Sequence, residues 1–134
     1  MSVEIAAPAE TPQRARVTQI LVIDDDRAIG DLIRDVLSDE GHEIVLVEHL
    51  ESAAADLIPD LVITDLVGLH GYDTHVARAV LTRVHERYLD VPIIVCTGHE
   101  QALRESAQLG AAAVLRKPFT LEALVKIVAD AIAS

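Results

Sequence analysis

The stretch Ile20-Leu21-Val22-Ile23-Asp24-Asp25-Asp26 sets four apolar residues directly against three carboxylates. Four β-prone residues bounded by polar ones suit a strand buried on both faces, as in a parallel sheet, although a buried helical segment has the same pattern. Two carboxylates about 4 Å apart repel by roughly 4 kcal/mol at an effective dielectric near 20. Three at the end of a buried strand therefore call for a positive partner, and a hard divalent cation would serve. The plainer reading is that Asp24, Asp25 and Asp26 cap the next helix, whose N-terminal end favours acids.

Working outward, the chain alternates strand and helix signals. Ile29, Leu32, Ile33, Val36 and Leu37 recur at helical spacing, and Gly41 stands where a left-handed cap is wanted. Residues 43–47 read as a second strand, and residues 50–57 as an Ala-rich second helix stopped by Pro59. A third strand covers residues 61–64 and ends at Asp65; the helix after it shows Val76, Ala79, Val80, Arg83 and Val84 on one face. A fourth strand, residues 92–96, starts with Pro92 and ends at Thr97, followed by a short Ala-faced helix over about 100–109 closed by Gly110. The fifth strand, residues 112–115, leads into Arg116 and Lys117. Thr120 can then cap a last helix carrying Leu121, Leu124, Val125, Val128 and Ile132 on one face.

Five strands alternating with helices through short connections imply an α/β domain, a doubly wound parallel sheet with right-handed crossovers. Its 134 residues fit one domain, read as a mobile tail over residues 1–16 and a domain over 17–134. The formal net charge of −11 disfavours direct nucleic-acid binding. The sequence has neither a span long enough to insert in a membrane nor a secretory signal, and the lone Cys96 sits among apolar residues as a core thiol; a cytoplasmic location is expected. The six histidines lack metal-ligand spacing and are read as surface or loop residues.

In open parallel sheets ligands bind beyond the carboxyl ends of the strands. That edge collects Asp24 and Asp25 from strand one, Asp65 from strand three, Thr97 from strand four and Lys117 from strand five. The set suits phosphoryl transfer to a carboxylate. The acidic pair with Asp65 would seat Mg²⁺, and Asp65 would be the nucleophile. Lys117 would neutralise a phosphoryl oxygen, and Thr97 would donate a hydroxyl hydrogen bond.

The motifs ILVIDDD (20–26), PDLVITDL (59–66), PIIVCTG (92–98) and LRKPF (115–119) together resemble the receiver domains of two-component response regulators. The resemblance runs from about residue 19 to 133 and implies the flavodoxin-like strand order 2-1-3-4-5. It further implies Asp65 as the phosphorylated residue, Asp24 and Asp25 as Mg²⁺ ligands with the Val67 backbone carbonyl, Thr97 as the switch hydroxyl, Lys117 on the phosphate and a cis bond before Pro118. The implied partners are a sensor histidine kinase or phosphotransfer protein, and a downstream protein on the face of helix four, strand five and helix five. The chain is expected to be a stand-alone phosphoacceptor, not an enzyme.

Two departures stand out. The loop after Asp65 is about two residues short, and Val114 replaces the aromatic residue the family places on strand five, so a smaller change on the output face is expected. Two other readings remain: an unphosphorylated receiver-like scaffold, and a haloacid-dehalogenase-type phosphatase. The second is weakened by Ala28 in the signature threonine position and by the lack of an inserted cap.

Overall fold

A computed structural model describes residues 17–66 and 71–133. The expected tail over residues 1–16 lies outside them. So do Val67 and His70.

The elements are β1 (Gln19–Ile23), α1 (Arg27–Asp39), β2 (Glu43–Val47), β3 (Leu61–Thr64), α2 (Thr74–Arg87), β4 (Ile93–Thr97), α3 (Glu100–Glu105), β5 (Ala113–Arg116) and α4 (Leu121–Ala133). The five strands form one parallel sheet in the order β2-β1-β3-β4-β5. This is the flavodoxin-like arrangement the resemblance implied.

The strand pleat sends alternate side chains to opposite faces. Leu21, Ile23, Val62, Ile93 and Val95 face Ala77, Leu81 and Val84 of α2. Ile20, Val22, Leu61, Ile63, Ile94, Cys96 and Leu115 face Ile33 and Leu37 of α1 and Leu124 and Val128 of α4. Burial pushes the Cys96 thiol up to about 12, as befits a core residue. At the end of α1, Gly41 takes φ 93°, and the His42 N–H donates to the Leu37 carbonyl. The left-handed cap is where the sequence placed it.

The expected second helix is absent. Only a single 3₁₀ turn, Leu50–Ser52, forms there. The reason is tertiary: the Arg87 guanidinium, at the end of α2, donates to the carbonyls of Leu50 (3.0 Å), Ala53 (2.9 Å) and Ala54 (3.0 Å). These are the acceptors an α-helix would have needed, and so short a helix was marginal without packing. The buried face of α2 is also rotated from expectation. Ala77, Leu81, Val84 and, just beyond, Tyr88 are buried, whereas Val76, Ala79 and Arg83 are exposed. This helix carries two apolar stripes, and contact with the sheet selected the second. The fourth helix is α-helical only over Glu100–Glu105 and continues in turns, and Leu121 of α4 is exposed.

Replacing Arg87 with Met should speed amide exchange across residues 50–57 and lower stability in urea by about 1–2 kcal/mol, from the lost charge-assisted bonds. Among the described residues nothing pairs with the buried Tyr88 hydroxyl. Tyr88→Phe should therefore raise the urea midpoint, by about 1 kcal/mol of stability.

Candidate functional site

The three aspartates after β1 divide the work. Asp26 is the N-cap of α1: its Oδ1 accepts from the N–H groups of Ala28 (3.1 Å) and Ile29 (3.2 Å). The capping reading is right for this residue. Asp24 turns inward instead, 3% exposed, with Oδ1 accepting from the Asp26 N–H at 2.8 Å. Asp25 is exposed and, with Asp24 and Asp65, lines an open cleft of about 530 Å³.

Asp65 follows β3 directly, and its N–H donates to the Ile23 carbonyl, which holds it against the end of β1. From the end of β5, Lys117 reaches both acids: its Nζ donates to Asp65 Oδ2 at 2.9 Å and Asp24 Oδ2 at 3.0 Å. The Lys117 N–H also donates to the Thr97 carbonyl, tying the ends of β4 and β5 together. The bond from Lys117 to Pro118 is cis. Groups 93 and 52 residues apart in sequence thus meet at one edge.

Burial raises the Asp24 carboxyl above its ordinary value, more than the Asp26 N–H and Lys117 lower it. Burial alone would lower the Lys117 ammonium, but the Asp65 and Asp24 carboxylates outweigh it and hold it above the usual lysine range. The lysine is cationic at any physiological pH.

Thr97 is fully buried at the end of β4, and its Oγ1 accepts from the His99 N–H at 3.2 Å. The sequence reading missed what lies beyond it. The His99 ring stacks on Tyr72, centroids 5.3 Å apart and planes at 28°. The Tyr72 hydroxyl and Thr74 Oγ1 each donate to Glu105 Oε1 at 2.8 Å, and Gln101 Nε2 donates to Oε2 at 3.0 Å. Burial and the facing Glu105 carboxylate push the Tyr72 phenol up to about 12, so it stays a donor. An isolated tyrosine after a glycine loop carries no periodic signal, so pattern alone does not mark it.

The donors fit a hard cation in kind, since Asp24, Asp25 and Asp65 offer carboxylate oxygens to a cleft with room for retained waters. Among the described residues, no three acidic, histidine or cysteine side chains are grouped to hold an ion as they stand. Lys117 draws Asp24 and Asp65 to itself, and Asp25 faces solvent.

Comparison with known proteins agrees with this geometry. The sequence model of the response regulator receiver domain matches residues 20–129. The chain belongs to the receiver-domain family of response regulators. It is 35% identical over 116 residues to the response regulator protein FleR of Pseudomonas aeruginosa, covering 83% of this chain and 24% of that protein. To the response regulator MprA of Mycobacterium ulcerans it is 36% identical over 115 residues, covering 80% of this chain and 47% of the other. The chain thus spans 24% to 47% of the length of these relatives. Among solved structures, the receiver domain of NtrX from Brucella abortus superposes with a TM-score of 0.74 at 31% identity, over 86% of this chain and 98% of that one. The chemotaxis response regulator CheY4 of Vibrio cholerae gives 0.70 at 25% identity, over 87% and 99%. The family match leaves the phosphatase reading without support.

The raised Asp24 carboxyl has a pH signature. In the folded receiver it holds its proton to higher pH than the unfolded chain, so the native state gives up stability as pH rises from the ordinary carboxyl value of 3.8 through the higher folded value. Asp24→Asn removes that penalty. The variant should be more stable than the parent at pH 7, with the difference shrinking as pH falls through the same window, read from urea midpoints at each pH.

Proposed function

We propose that this receiver accepts a phosphoryl group on Asp65 from a phosphohistidine donor, a sensor kinase or phosphotransfer protein, and signals through altered protein binding. The observation that carries the reading is the bridging of Asp65 and Asp24 by Lys117 Nζ at 2.9 and 3.0 Å. The Asp65 carboxylate oxygen attacks phosphorus, and the bond from phosphorus to the donor breaks. Lys117, already beside the nucleophile, follows the charge that builds on the transferred oxygens, and the Thr97 hydroxyl can donate to another.

Asp24, Asp25 and Asp65 would hold Mg²⁺, with the Val67 carbonyl that the family resemblance adds. When bound, the ion would neutralise part of the phosphoryl charge. The protein is then a phosphoacceptor that catalyses only its own modification, not an enzyme turning over free substrate. Its downstream face would be α3, β5 and α4, with half-buried Val114 in place of an aromatic switch. No helix of the described residues is long and apolar enough to cross a membrane. A cytoplasmic site of action is part of the proposal.

Incubation with acetyl phosphate and Mg²⁺ should add one phosphoryl mass to the intact protein. Asp65→Asn or a chelator should abolish the addition, and Lys117→Ala should slow it roughly 10²-fold. An unlabelled parent, under conditions that label a control receiver, would leave an interaction scaffold as the function.

A further inference from the structure

Tyr72 lies between Asp65 and the N-cap of α2, on the loop whose length departs from the family pattern. Its ring meets His99, two residues past Thr97, and its hydroxyl meets Glu105 at the end of α3. The His99 backbone N–H occupies a lone pair of Thr97 Oγ1. A hydroxyl that accepts there keeps its own hydrogen to donate elsewhere.

We propose that Tyr72 is a positioning residue for phosphoryl transfer: by stacking on His99 it holds the His99 N–H on Thr97 Oγ1 and so presents the Thr97 O–H as a donor at the sheet edge.

Three features support this. The stack is anchored rather than incidental, because Glu105 gathers Tyr72, Thr74 and Gln101 and thereby fixes the phenol against α3. The connection from Thr97 to α3 is only Gly98 and His99; the His99 carbonyl is held by the Leu103 N–H at 2.9 Å, and the stacked ring adds a side-chain restraint next to the glycine. The same chain of contacts links the hydroxyl to the end of α3 with no contribution from β5, where Val114 stands. The receiver thus has an aromatic link between site and helix, placed on the loop after β3.

The inference rests on the proposed phosphorylation of Asp65, and the test separates the two. Tyr72→Leu, which loses the stack, and His99→Ala, which keeps the backbone N–H but loses the ring, should each slow labelling by acetyl phosphate about three- to tenfold. Tyr72→Phe, which keeps the ring but loses the bond to Glu105, should fall between the parent and Tyr72→Leu. In a Thr97→Val background Tyr72→Leu should cause no further slowing, since it acts through the missing hydroxyl. Independently of any phosphoryl chemistry, the His99 amide should exchange about tenfold faster in Tyr72→Leu, and by less than about threefold in Tyr72→Phe. Full additivity with Thr97→Val, parental labelling in Tyr72→Leu or His99→Ala, or an unchanged His99 exchange rate would each overturn the role of Tyr72. Failure of the parent to label would reject Asp65 as acceptor, while the exchange rates would still decide whether the stack positions His99.

Discussion

One ammonium group holds the functional edge together. Asp24 and Asp65 end neighbouring strands of a parallel sheet, Asp24 is nearly enclosed, and neither backbone could move away without breaking the ladder between β1 and β3. Their mutual repulsion is built into the topology. Lys117, 18% exposed and bonded to both, neutralises it from the end of β5, two strands away from β3. Removing the lysine would leave two facing carboxylates uncompensated, so the edge depends on it. The arrangement is charged, close to solvent and backed by a rigid sheet, the preorganisation that the proposed attack by Asp65 requires.

The sheet can do this because its core is divided cleanly. α1 and α4 cover one face and α2 much of the other, so the strands are fixed in register along their whole length. Against that rigid centre the segment between β2 and β3 is loosely specified. Its Ala-rich sequence favours a helix, yet the Arg87 guanidinium takes three of its carbonyls and leaves a single turn. Local propensity there is worth a few tenths of a kcal/mol per residue, and charge-assisted hydrogen bonds exceed it.

The polar cluster around Glu105 shows a second kind of tertiary organisation. Tyr72, Thr74, His99 and Gln101 come from two connections and two helices, and none belongs to a recognisable motif. What joins them is the adjacency of β3 and β4, which places the loops after both strands side by side. That adjacency sets the Tyr72 ring against His99, two positions past Thr97.

The sequence alone determined the parallel α/β sheet, the strand ends and the identities of Asp24, Asp65, Thr97 and Lys117, because buried strands are short apolar runs and the residue after each run marks the reactive edge. It also determined the left-handed cap at Gly41, whose chemistry is local. Only the tertiary structure decided which aspartate caps and which faces the lysine, which stripe of α2 is buried, that residues 50–57 do not form an α-helix and that Tyr72 meets His99. Each of these depends on a partner more than ten residues away, and a one-dimensional pattern carries no record of distances closed by folding.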